Sequence, residues 1–455
     1  MITFIILSVL AILVCIYPPI TVFIAALTHN GGDGFALDAY LRASGYETLM
    51  QWMRGLTFLG AGIASYKLIR SQRQDKETRR TKLLTWAILG MAAWVAAVTL
   101  LKGGKTSYVP GAVLYSGSLV APIVFAYWRD KWARVIFIAI LFVQLSLAMA
   151  IVLMPSGPLG VLQAVRYDTG LGDLSSVPQD FSGELARISG QSRLFAQFLS
   201  PNTYGVYAVI GIAVGSYMLL LYRSWRLKLL GGVLFVLGAF GWINTVSRGA
   251  TLGLLAGVLI VAVKEITSKR AVVLTCALVL AAGMGYLAIS DWDASDLTDL
   301  FFVHTDNEAV SVRWTAAEAG MEQIAQSPLL GAPVDYVWPF NIAPHQVMLY
   351  FAASHGVPAG IMLTLLLLTL VQLKLGYVKA NLPRSERWEM HLSVVIGWII
   401  LATGITNNLS APVLFWVGWA IGCGPWLERW QSGNQEPDDI PPQQEEYGNL
   451  QEAQW

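Results

Sequence analysis

Residues 229–264 read LLGGVLFVLGAFGWINTVSRGATLGLLAGVLIVAVK, and until the closing lysine a single residue, Arg248, carries a charge. As one helix this run would be about 54 Å long, nearly twice the ~30 Å hydrocarbon thickness of a bilayer. It therefore reads as two spans, 229–247 and 250–264. The break belongs at Ser247-Arg248-Gly249, because an arginine in mid-bilayer is expensive and Gly249 permits a tight turn. A helical hairpin with its arginine at a membrane surface is the expected unit.

The same pattern extends over the chain. Of 455 residues, 55% are hydrophobic and 13% charged, about half the charge of a soluble domain. Ten further runs qualify as spans: 2–28, 50–68, 84–101, 109–127, 135–154, 203–222, 271–289, 345–373, 391–406 and 410–427. The expected fold is all-α, a polytopic membrane helix bundle of about twelve spans covering 1–430. With a cytoplasmic N-terminus, 21 of the 30 Lys and Arg residues fall on inner segments and 9 on outer ones, the positive-inside bias. The large inner clusters are Lys67 to Lys82 and Lys374 to Arg387. Met1 to Leu27 lacks a basic leader and reads as a retained first helix.

Two outer loops are long, 155–202 and 290–344. The second lies between spans 9 and 10 and is partly helical, since Thr305-Asp306-Asn307-Glu308 reads as a capping box and Ser327-Pro328 as a stop. Residues 431–455 hold six acids and no Lys or Arg, the composition of a disordered cytoplasmic tail. Cys15, Cys276 and Cys423 lie in apolar runs and read as small buried hydrophobes, with neither disulfide nor metal spacing.

The spans hold few ionisable groups: Arg54 near one end, and His355 and His391 in apolar stretches. Ion-coupled transporters carry paired charges near the midplane, so the pattern favours a site at the outer face. There the polar outliers are Arg193 before a span, Arg248 at the hairpin turn, Arg313 on the loop helix and His345 at the head of a span. Arginines without matching acids suit an anionic ligand such as a diphosphate, and a histidine at that depth suits a general base. The plainer readings are a snorkelling anchor for each arginine, a helix-end hydrogen bonder for His345 and a packed residue for His355. The residues alone point to an outer-face enzyme or binding protein for an anionic, lipid-linked ligand.

At these positions the sequence resembles the O-antigen ligase and O-antigen polymerase superfamily of membrane glycosyltransferases. Arg193 with Phe198-Leu199-Ser200-Pro201-Asn202 is similar to the family's arginine, aromatic and Pro-Asn ahead of a span. Ser247-Arg248-Gly249-Ala250 is similar to its Ser-Arg-Gly turn. His345-Gln346 followed by Gly356 resembles its histidine motif, and Arg313 with Pro328-Leu329-Leu330-Gly331 the segment before it. The likeness covers about residues 190–375, and the chain departs from it at Ala359-Gly360, where the family has Gly, Thr or Tyr at the first position.

The resemblance implies inverting glycosyl transfer, independent of metal or cofactor, at the periplasmic face of a bacterial inner membrane. The implied donor is a glycan on undecaprenyl diphosphate, and the acceptor is lipid A–core of lipopolysaccharide or a growing glycan. Arg193, Arg248 and Arg313 are the implied diphosphate-binding residues, and His345 the implied catalytic base. The bilayer is a further partner, and nucleic acid is not. Ligase activity is the first reading and polymerase activity the second. A non-enzymatic transporter of lipid-linked glycans, from another class, is disfavoured by the scarcity of midplane charge.

Overall fold

The computed structural model describes residues 2–28, 44–71, 76–104, 118–127, 130–154, 198, 201–245, 247–265, 308–334, 336–339, 343–344, 346–375, 384–406 and 413–423. Their regular elements are all helical. The first half holds α1 (Ile2–Ile16), α2 (Ile20–Thr28), α3 (Glu47–Arg70), α4 (Lys76–Leu101), α5 (Ala121–Tyr127) and α6 (Lys131–Leu153). The central part holds α7 (Pro201–Leu221), α8 (Trp225–Thr245), α9 (Arg248–Glu265) and α10 (Glu308–Gln326). The last part holds α11 (Val347–His355), α12 (Val357–Leu375), α13 (Arg384–Thr406) and α14 (Val413–Cys423).

Among the described residues, five helical stretches are long and apolar enough to cross a membrane: Arg79–Leu101, Lys131–Leu153, Asn202–Leu221, Trp225–Thr245 and Glu389–Thr406. Shorter apolar helices run alongside, among them Gly249–Ala262, Val357–Leu370 and Val413–Cys423. The chain is thus an all-helical protein of membrane type. The expected span 271–289 and the tail 431–455 lie outside the described residues, as does Cys276.

The opening stretch folds as the hairpin its charge pattern dictates. Helix α8 ends at Thr245 and α9 begins at Arg248. Gly249 does not make the turn, however: it is buried in the first turn of α9. The corner is held by Thr251, whose hydroxyl donates to the Ser247 carbonyl at 2.8 Å and accepts from Trp242 Nε1 at 2.8 Å.

Two expected spans are broken. The run 2–28 is two helices separated at Tyr17-Pro18-Pro19, because neither proline can donate the amide that would continue α1. Val14 packs in one cluster with Ile24 and Leu56, with Leu10, Ala11, Ile20 and Met53 around it. Meanwhile Gly60 of α3 touches Thr21, so α1 doubles back and Ile2 and Thr28 lie toward the same end. Cys15 is exposed on this hairpin, contrary to expectation, whereas Cys423 is buried. The run 345–373 breaks at Gly356, which has φ +85°. A methyl group on Gly360 would lie 3.1 Å from Ala352 Cα, whereas residues eight apart in a straight helix are separated by about 12 Å. Helix α11 therefore meets α12 at a sharp angle.

Close backbone approach builds the rest of the bundle, as is usual where packing rather than hydrophobicity drives helix association. A methyl on Gly253 of α9 would lie 2.5 Å from Ile399 Cα, and one on Gly257 would lie 2.7 Å from Val395 Cα. These two contacts fix α9 and α13 as antiparallel. At the opposite end of α13, Glu389 pairs with Arg134 at the start of α6 at 2.9 Å. Buried polar side chains bond to carbonyls of neighbouring helices: Gln144 Nε2 to Ala26 at 2.7 Å, Ser393 Oγ to Ile421 at 2.7 Å and Trp419 Nε1 to Leu366 at 2.9 Å.

Candidate functional site

The site is built at the end of the bundle where α7 begins. Pro201 opens that helix, a position that has no use for an amide donor. Just ahead of it, Phe198 is fully buried, its ring 5.2 Å from Tyr204 and 4.9 Å from Tyr207. One residue along, Gly205 leaves room for the Ser247 side chain and lies 3.2 Å, from an added methyl, to Thr245 Oγ1. The first turns of α7, on which Phe198 packs, thus lie against Ser247 at the turn before α9. Thr203, Thr245 and Ser247 are all buried there.

The register of α9 against α13 sets which residues share this end. Gly257 faces Val395 and Gly253 faces Ile399, so Arg248, the first residue of α9, is level with the last turn of α13. In that turn Thr403 is buried, and a methyl on Gly404 would meet Val347 Cγ1 at 3.5 Å. Val347 is the first residue of α11 and follows His345-Gln346. Helix α10 closes the group, since a methyl on Gly320 would lie 2.8 Å from Pro344 Cγ and 3.5 Å from Leu349. Arg313 lies seven residues before Gly320 on α10, about 10 Å along its axis. A run of ring contacts, Tyr336 to Trp338 at 4.9 Å and Trp338 to Tyr350 at 6.4 Å, ties the preceding segment to α11.

The loop-helix expectation is met at its C-terminal end, while Thr305 to Asn307 of the expected capping box lie outside the described residues. Helix α10 starts at Glu308, the last residue of the capping box, and stops one residue before Ser327-Pro328. Beyond it, Pro328 to Ala332 docks on the α11–α12 break. The Val357 amide donates to the Pro328 carbonyl at 2.7 Å and the Ala332 amide to the Ala353 carbonyl at 2.7 Å. Gly331 and Gly356 both have positive φ where they touch.

Of the residues singled out in the sequence, Arg193 and His345 lie outside the described residues. Arg248 heads α9 and Arg313 lies within α10, with the side chains of both also outside the described part. His355, the expected packed histidine, is partly buried with its ring edge-on to Phe351 at 5.3 Å. Among the described residues, no group of three His, Cys, Asp or Glu side chains is arranged to hold a metal.

Two residues escaped the sequence reading. Lys102, one residue past α4, donates to the Ser354 carbonyl, and Trp94 of α4 donates to the His355 carbonyl at 2.9 Å. Burial pushes the Lys102 ammonium down to about 8. In sequence Lys102 looks like any lysine snorkelling at a span end, and nothing local reveals a partner 252 positions away.

Among the described residues the protein is all-helical, with helices long and apolar enough to cross a membrane, and the starts of α7, α9 and α11 lie toward one end. Comparison with known protein families finds no family model that matches, and no curated protein matches the chain.

Proposed function

We propose that the chain is an inverting membrane glycosyltransferase of the O-antigen ligase type, working without metal at the periplasmic face of a bacterial inner membrane. Its donor is a glycan linked to undecaprenyl diphosphate, and its acceptor is a hydroxyl of lipid A–core. The observation that supports this reading is convergence. The start of α7, the turn before α9 and the start of α11 are remote in sequence and meet around the last turn of α13, and α10 packs on Pro344 and α11. These are the segments that bear the arginine and histidine motifs.

In this reading His345 removes the acceptor hydroxyl proton as the oxygen attacks the anomeric carbon. The bond from that carbon to the diphosphate oxygen breaks, and undecaprenyl diphosphate departs from the opposite face with inversion. Arg193, Arg248 and Arg313 hold the diphosphate and stabilise its growing negative charge, which fixed donors do best when already in place. No ion-coupled step is required.

The test is transfer from a purified undecaprenyl-diphosphate glycan to lipid A–core. His345→Ala is expected to slow transfer by about 10²–10⁴-fold, the usual effect of losing a general base. His355→Ala, at the far end of α11, is expected to keep most of its activity. A dead His355→Ala beside an active His345→Ala removes the assignment. Extension of the glycan in place of transfer to lipid A–core identifies a polymerase using the same donor chemistry.

A further inference from the structure

A helix normally leaves its last carbonyls to water or to the following turn. Helix α11 does not. Its last three carbonyls each accept from a different outside donor. Ala353 accepts from the Ala332 amide at 2.7 Å, Ser354 from Lys102 Nζ, and His355 from Trp94 Nε1 at 2.9 Å. Two of these donors belong to one rigid element, α4 and the residue after it.

We propose that Lys102 and Trp94 are positioning residues for the reacting end of α11. This rests on the functional reading above, in which the residue two before Val347 is the base.

Helix α11 needs such a clamp because its own connection is weak. It joins α12 through Gly356, whose φ of +85° lies outside the helical range, so no continuous run of helical hydrogen bonds fixes the angle between them. The helix has 9 residues and is about 13 Å long, so a swing of about 10° at the clamped end displaces the other end by about 2 Å. A misplacement of about 1 Å at a reacting group can cost about 10²-fold in rate. The donors also match their acceptors. A cation at the carbonyl end of a helix is favoured by its dipole, and Lys102 is drawn inward to that end instead of reaching for water, which is why burial lowers its pKa to about 8. The indole N–H of Trp94 is a donor with no acceptor function, suited to a bare carbonyl.

The experiment uses the full chain in proteoliposomes. Lys102→Met keeps the apolar stem, Trp94→Phe keeps most of the ring, and Lys102→Arg keeps a charged donor. Two quantities are measured: amide hydrogen exchange of residues 347–355, and kcat and KM for the donor glycan. Lys102→Met and Trp94→Phe are expected to speed exchange across α11 while α13 stays protected. They are expected to lower kcat by about 10–10²-fold with KM for the donor within about twofold. Lys102→Arg is expected to restore most of both. Unchanged exchange in α11 overturns the clamp. Faster exchange with unchanged kcat overturns the positioning role and leaves a purely structural cap. Full activity of His345→Ala removes the functional reading instead, and the exchange data still judge the clamp by themselves.

Discussion

Under the proposed function, Arg248 and Arg193 matter as arginines because a diphosphate offers pairs of oxygens that a planar guanidinium can bond two at a time. Lysine keeps the charge but makes a point contact. Arg248→Lys and Arg193→Lys are therefore expected to lose most transfer activity, while Arg187→Lys, outside the motifs, stays active. Rates in EDTA and in added magnesium are expected to agree. Full activity in both lysine variants, or strict dependence on a divalent ion, removes the arginine clamp. Gly356 gives a second test at this scale. An alanine there would adopt a backbone conformation reserved almost wholly for glycine, costing about 1–3 kcal/mol, and its methyl would run into the Leu329 carbonyl. Gly356→Ala is expected to lower the thermal midpoint and the transfer rate together. Single residues were the least legible level of the sequence. Ser247-Arg248-Gly249 announced its place because a charge interrupts an apolar run, whereas Lys102 gave no sign that its partner is a backbone carbonyl.

At the level of elements, the contact between α9 and α13 sets how far the start of α9 lies from the last turn of α13. Gly253 has no room for a side chain there, so Gly253→Leu is expected to force the helices apart, with overpacking costing about 1–3 kcal/mol. Leu252, on the exposed side of α9, is the control, and Leu252→Ala should leave activity within about twofold, since exposed sites away from special features usually shift stability by at most about 0.5 kcal/mol. Thermal unfolding and transfer rate measured on both variants decide the matter, and a Gly253→Leu protein of wild-type rate contradicts the role of this contact. Most of the described helices were readable, because long apolar runs and stop signals such as Ser327-Pro328 are local. The two broken spans were not. Hydropathy registers that residues 2–28 and 345–373 are apolar, but not that the axis reverses at Pro18-Pro19 or bends at Gly356. Helix α13 also begins at Arg384, seven residues before its expected start, because hydropathy marks the hydrocarbon boundary and not the end of the helix.

For the whole molecule, the bundle has two chemically different ends. The Arg134–Glu389 pair marks one, and the meeting of α7, α9, α11 and α13 marks the other. In the alternation expected from the basic residues, the first end is the cytoplasmic one. Single cysteines at Ser175 and Asp299 should react with an impermeant thiol reagent added outside spheroplasts, and one at Gln74 should not. Labelling of position 74 from outside inverts the bundle and with it the side on which transfer takes place. The reversal at Pro18-Pro19 bears on how this orientation arises during synthesis. A leading segment ordinarily dominates the choice of side for the chain that follows. Here α1 and α2 form a folded-back pair that carries no Lys or Arg, and with Ile2 and Thr28 toward the same end it corrects the single crossing by residues 2–28, and the cytoplasmic N-terminus, expected from hydropathy. The positive charge that can orient this part of the chain therefore begins with Lys67 and Arg70 in the last turn of α3 and continues to Lys82.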